Sequence, residues 1–183
     1  MIYGESVRLR AIEKADLPKF VAWLNDPEVR QGLSINVPFS LTAEEKWFEA
    51  NEKNPPNERA LAIEIQPEGE EGEWVFVGSC SLFDFNWQVR QAEIGIHIGE
   101  KKYWNQGFGT RVMQLLLKHG FETLNLNRIS LRVHEDNPRA VRTYEKAGFV
   151  KEGVLRQARF HKGKYIDVRL MSVLRSEWKE RKK

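Results

Sequence analysis

The sequence has a single cysteine, Cys80, in 183 residues. One thiol cannot form an intramolecular disulfide, so a disulfide-stapled secreted scaffold is excluded and a reducing, cytoplasmic setting is expected. Long apolar runs are missing as well. No stretch approaches the ~20 residues that cross a bilayer, and the opening M-I-Y-G-E-S-V-R-L-R lacks an apolar signal core. Neither membrane insertion nor export by a cleaved signal is expected. Charge of one sign is scarce too: 29 basic against 26 acidic residues leave a net +3. With a pI near 9.0, that permits an acidic partner without demanding one. The terminal K-E-R-K-K run reads as a solvated helix end, so nucleic acid is not an expected partner. His97, His119, His134 and His161 are scattered without ligand spacing, and no metal site is expected. There is no internal repeat or low-complexity segment. With 41% hydrophobic and 30% charged residues, residues 1–183 are expected to form one folded domain.

What the chain does contain is centred on residues 94–121, I-G-I-H-I-G-E-K-K-Y-W-N-Q-G-F-G-T-R-V-M-Q-L-L-L-K-H-G-F. Ile94, Ile96 and Ile98 alternate with Gly95 and His97, the period of a strand. After the glycines, Val112, Met113, Leu116 and Leu117 fall on one helical stripe. A strand that enters a glycine turn and opens a helix aims backbone N–H groups, and the positive end of the helix dipole, at an anion. The bland alternative is a plain strand-turn-helix corner. Two phosphate motifs are excluded: Val112 stands where a dinucleotide fingerprint needs its third glycine, and Phe108-Gly109-Thr110 is not the Gly-Lys-Ser/Thr of a Walker loop.

A second stretch begins at Arg128. Ile129, Leu131 and Val133 alternate as a strand, and Asn137 and Pro138 then suit the cap and first position of a short helix that Gly148 stops. Asn137, Ala140, Val141 and Tyr144 share one side of it.

Together the two stretches resemble the acetyl-CoA-binding motifs of the GNAT superfamily of N-acetyltransferases. W-N-Q-G-F-G-T is similar to the family's Q/R-x-x-G-x-G/A pyrophosphate loop, with Trp104 in place of the usual Gln or Arg. N-P-R-A-V-R-T-Y-E-K-A-G-F resembles the family's N-x-x-A-x-x-x-Y-E-x-x-G-F helix. The opening R-L-R-A-I-E-K-A-D-L-P-K-F-V-A-W-L-N-D-P-E-V resembles the branch holding ribosomal-protein N-terminal and spermidine N-acetyltransferases. The resemblance covers nearly the whole chain. It implies a mixed α/β (α+β) fold: a central, mostly antiparallel seven-stranded sheet, flanked by helices and splayed between its fourth strand (93–98) and its fifth (128–135). It also implies acetyl-CoA as co-substrate. The expected cofactor contacts are Ile96, His97 and Ile98 on the fourth strand, then Asn105, Gln106, Gly107, Phe108, Gly109 and Thr110 in the loop. Asn137, Ala140 and Tyr144 would add contacts from the helix.

Acetyl transfer to an amine needs a neutral nitrogen, N–H donors for the oxyanion, and a proton or other stabilisation for the leaving thiolate. Tyr144 is the expected acid, against the alternative of a core tyrosine with a partnered hydroxyl. A fourth-strand N–H near residues 96–98 would face the oxyanion. Glu93 is the candidate base, against a plain ion pair with an arginine, and Asp84 is a substitute. The fifth-strand acid that many relatives use is absent, because Arg132 stands there. The acceptor is expected to be a small-molecule amine such as a polyamine, or a protein or peptide N-terminus. Residues 25–39 and the final hairpin would wall its site, with Asp26, Glu28, Asp84 and Glu93 supplying charge. Rival readings are an aminoglycoside acetyltransferase and a non-catalytic acyl-CoA-binding module; self-association into a homodimer is left open.

The remaining elements follow from local pattern. A first strand over 6–12 faces Val7 and Leu9 inward. Asp16 is expected to cap a helix through Leu24, and Thr42 a second one through a T-A-E-E capping box, with an irregular stretch over 27–38 between them. Strands are expected over 59–66, 74–83, 91–98, 149–160 and 165–174, with an acidic hairpin turn at 67–72 and a short closing helix.

Overall fold

The structure, a computed structural model, describes residues 1–33, 37–67 and 72–180. The acidic turn expected at 67–72 falls largely outside them. Eight described strands form one sheet: β1 (Ile2–Tyr3), β2 (Val7–Ala11), β3 (Leu61–Ile65), β4 (Val75–Asn86), β5 (Gln91–Ile98), β6 (Arg128–His134), β7 (Val150–His161) and β8 (Lys164–Leu174). Their order is β1-β2-β3-β4-β5-β6-β8-β7. The expected count of seven is corrected by β1, a two-residue edge strand too short to show a period. The fourth and fifth strands of the sequence reading are β5 and β6.

All neighbours are antiparallel except β5 and β6. Two strand-helix-strand crossovers were expected to give parallel pairing, and only the first does so directly. The second leaves β6 and β7 parallel but apart, because β8 slots between them. β5 and β6 share three register pairs, Gln91–Arg128, Ala92–Ile129 and Glu93–Ser130. Beyond them β5 stays on β4 as far as Ile98, while β6 follows β8 to His134. The expected splay is this wedge.

Helices cover both faces. On one lie α4 (Phe108–Lys118) and α5 (Pro138–Ala147), over a core that includes Leu9, Ile63, Ile94, Val112, Met113, Phe121 and Met171. On the other, α1 (Leu17–Asn25) buries Phe20 and Trp23 against Ile12, Ala62 and Phe76. Two further helices, α2 (Pro27–Arg30) and α3 (Leu41–Lys53), flank α1, and α6 (Arg175–Glu180) follows β8. β5 serves both faces: Ile94 is buried among the α4 side chains, while the His97 ring meets Trp23 edge-on at 6.0 Å.

Three local expectations are corrected. Asp16 stands at the start of α1 but makes no side-chain cap; its carboxylate is held by Arg10 at 2.7 and 2.8 Å and by the Glu13 N–H. Thr42 lies inside α3, which Ser40 caps by accepting the Ala43 N–H at 3.1 Å. Part of the stretch expected to be irregular is α2, whose first N–H groups are taken by Asp26. An arginine holds Asp16 away from the cap, while Asp26 and Ser40 supply the capping oxygens of α2 and α3.

Candidate active site

Gly107 takes a left-handed conformation, φ 85°, and caps α4. Asn105 is left-handed as well, φ 64°. Those two reversals swing the chain from the strand into the helix, and a β-carbon at Gly107 would strain one of them. The Arg111 N–H donates to the Gly107 carbonyl at 3.1 Å. The ladder of α4 therefore starts there, and the N–H groups of Phe108, Gly109 and Thr110 are left for an outside acceptor.

A narrow cavity of about 120 Å³ lies between the open end of β5, the first turn of α4 and the inner side of α5. The Gly99 N–H donates to the Val77 carbonyl at 2.8 Å. By the alternation of an antiparallel ladder, Gly95 and His97 therefore bond to β4, and Ile96 and Ile98 turn their backbone groups to the open side. There the Ile98 carbonyl accepts the Trp104 indole N–H at 2.8 Å.

Of the expected cofactor residues, Ile96, His97, Ile98, Gly109, Asn137, Ala140 and Tyr144 line this cavity. Asn105, Gln106, Gly107, Phe108 and Thr110 do not. The Phe108 ring is buried in the core, and the Gln106 amide donates to the Lys102 carbonyl at 2.7 Å. What this loop offers a ligand is main chain.

Asn137 caps α5, its Oδ1 accepting the Ala140 N–H at 3.1 Å, and its amide nitrogen lies 2.9 Å from where a β-carbon on Gly32 would sit. The Tyr144 hydroxyl has no hydrogen-bond partner among the described residues, and its ring stands edge-on to Phe149. Burial pushes the phenol up to about 12, so at neutral pH it keeps its proton. Arg139 and Thr143 also line the cavity, unforeseen from sequence. The Arg139 guanidinium lies 3.6 Å over the Trp104 ring, which brings a cation beside the residue that replaces the family's usual Gln or Arg. Nothing in the spacing of two residues 35 apart signals that stack.

The expected acidic residues do not line the cavity. Glu93 accepts Arg132 Nη2 at 3.0 Å, which is the ion-pair alternative. Asp26 and Glu28 share the Lys101 ammonium at 2.8 and 3.0 Å. Asp84 is exposed near the end of β4 with φ 51°. A carboxylate that lines the chamber beside this cavity is Glu44. A second space of about 270 Å³ opens between α1, α3 and the sheet, lined by Phe20, Leu24, Leu33, Phe39, Glu44, Trp47, Ser79 and His97. Leu33 and His97 belong to both spaces. Glu44 was read only as part of a capping box; the signal available was its helical spacing with Phe48 and Asn51 on the inward side of α3.

The model of the acetyltransferase (GNAT) domain matches residues 6–150. A spermidine N(1)-acetyltransferase of Vibrio cholerae is 30% identical over 178 residues, 97% of this chain and 98% of its own length. An uncharacterised N-acetyltransferase, p20, of Bacillus licheniformis is 30% identical over 182 residues, covering 97% of each. Among solved structures, a Vibrio cholerae spermidine N-acetyltransferase in complex with CoA and spermine superposes with a TM-score of 0.84 at 28% identity. That match covers 96% of this chain and 99% of the other. With the glycine turn, the wedge between β5 and β6 and the α5 tyrosine all in place, this chain belongs to the GNAT family of acetyltransferases.

Proposed function

We propose that this acetyltransferase moves the acetyl group of acetyl-CoA to a primary amine by direct attack, without an acyl-enzyme. The observation that carries the reading is the meeting, in one cavity, of the Ile96 and Ile98 N–H groups, which β4 leaves unpaired, with a Tyr144 phenol that has no hydrogen-bond partner among the described residues. The N–H groups at the start of α4 suit a pyrophosphate. Arg139 adds a positive charge on the cavity wall, and the Asn137 amide suits an amide-bearing arm. Among these groups the neutral amine attacks the thioester carbonyl, and a C–N bond forms as the C–S bond breaks. An N–H of Ile96 or Ile98 donates to the developing oxyanion. Tyr144 gives its proton to the departing sulfur and recovers one from the nitrogen.

The names of the Vibrio cholerae relatives support an amine acceptor of the polyamine kind, and a peptide N-terminus is the other acceptor in view. A cytoplasmic setting belongs to the same reading; among the described residues no helix is long and apolar enough to cross a membrane. The test is acetyl-CoA-dependent thiol release across spermidine, putrescine, peptides with free N-termini, lysine peptides and an aminoglycoside. Release with one of the first three supports the reading. Acetyl-CoA that neither binds nor yields thiol with any of them overturns it.

A further inference from the structure

The reaction needs something to take a proton from the incoming ammonium, and Glu93 is committed to Arg132. The chamber behind His97 holds an uncommitted group. Glu44 is 4% exposed, yet its carboxylate has no hydrogen bond or ion pair among the described residues. A carboxylate largely withdrawn from water and left unpaired is costly, and a cation in the chamber would offset that cost. Among the described residues, its surroundings on the chamber wall are otherwise apolar or uncharged: Phe20, Leu24, Phe39 and Trp47, with Ser79 and His97 opposite each other on β4 and β5. The His97 Nε2 is also buried without a hydrogen-bond partner. Two orphaned polar side chains thus face one apolar chamber, and that chamber touches the acetyl-transfer cavity at His97 and Leu33.

Resting on the acetyltransfer reading above but not on its polyamine acceptor, we propose that this chamber is the acceptor subsite, that Glu44 receives the acceptor's ammonium and takes one proton from it, and that a monoamine on a short apolar body fits it better than a polyamine does. The one carboxylate that the described residues place on the chamber wall matches a single charge. A second or third ammonium, as in spermidine, would lie against Phe20, Phe39 or Trp47 without a counter-charge. In the transfer an N–H bond breaks and a carboxyl O–H bond forms, leaving a neutral amine whose lone pair is free to attack. Burial already draws the Glu44 carboxyl upward, which favours acceptance of the proton. His97, at the boundary of the two spaces, is held neutral by the same desolvation and so does not repel the cation.

The test is calorimetric titration of 2-phenylethylamine and of spermidine into the CoA-saturated protein, with thiol release from acetyl-CoA measured in parallel. Glu44→Gln keeps the shape of the side chain, and its unchanged CoA affinity is the check on folding. The expected result is that 2-phenylethylamine binds at least tenfold more tightly than spermidine. Glu44→Gln should weaken it by about ten- to a hundredfold, the range of a hydrogen bond to a charged group. Trp47→Ala, which leaves the charge in place, should weaken 2-phenylethylamine more than spermidine. Equal affinity in wild type and Glu44→Gln, or tighter binding of spermidine, overturns the proposal. If 2-phenylethylamine binds through Glu44 but neither it nor any amine of the panel above yields thiol, the acetyltransfer reading falls and the cation subsite stands. If spermidine alone yields thiol, the outcome is the reverse.

Discussion

At the scale of single residues, Tyr144 and His97 show burial acting on two groups in opposite ways. Burial raises the phenol to about 12, so Tyr144 remains a donor throughout the physiological range. Tyr144→Phe should lower turnover by about ten- to a thousandfold, in the range of a lost general acid, with acetyl-CoA affinity nearly unchanged. Pre-steady-state thiol release beside a binding titration checks both halves, and full activity in the variant would return Tyr144 to a packing role. Burial pushes the His97 imidazole down to about 4. A base depressed in the folded state binds its proton more readily once unfolded. Its contribution to stability is therefore complete above the ordinary imidazole range and is lost as pH falls from about 6.5 toward 4. His97→Gln removes that contribution, so on going from pH 7 to pH 5 wild type should lose more stability than the variant does. Urea midpoints at the two pH values measure the difference, and parallel losses would count against it.

At the scale of elements, caps and turns govern. Asn137→Ala removes the oxygen that accepts the Ala140 N–H and should cost about 1 kcal/mol, a melting-temperature drop of about 2–4 °C for a chain of this size. Gly107→Ala forces a β-carbon into the left-handed region at a cost of about 1–2 kcal/mol. It should also weaken CoA binding, because the N–H groups of the next three residues are re-aimed; calorimetry with CoA reads that loss directly. The Asn137 cap was legible in sequence because Asn-Pro suits a cap and first helical position, and the turn, though not the cap, at Gly107 because glycine admits backbone that other residues avoid. The caps of α1 and α3 were not. Asp16 was drawn away by Arg10, a partner on β2, and Ser40 competed with Thr42 two residues away. The same limit hid Glu44 and Arg139. Each acquires its meaning from what other segments bring beside it: Phe20, Phe39 and His97 around Glu44, and Trp104 under Arg139.

At the scale of the whole molecule, the wedge between β5 and β6 leaves part of a central strand unpaired. The amides of Ile96 and Ile98 should therefore exchange with solvent deuterium faster than those of Gly95 and His97, which bond to β4. Saturating CoA should slow the first pair selectively; uniform protection along β5 would argue against a ligand arm pairing there. That β5 and β6 are neighbours was expected only from the family resemblance, and local pattern could not foresee β8 lying between β6 and β7, since both hairpin strands alternate in the same way. That arrangement has a consequence for how the protein is made. A ribosome delivers β6 and β7 before β8, so during synthesis both wait without the strand that joins them. The half of the sheet carrying β6, and with it α5 and Tyr144, can be completed only after residues 164–174 emerge. Until then the nascent chain holds the glycine turn and β5 but not the closed site, and it is at this stage that β6 is most open to pairing with the wrong strand.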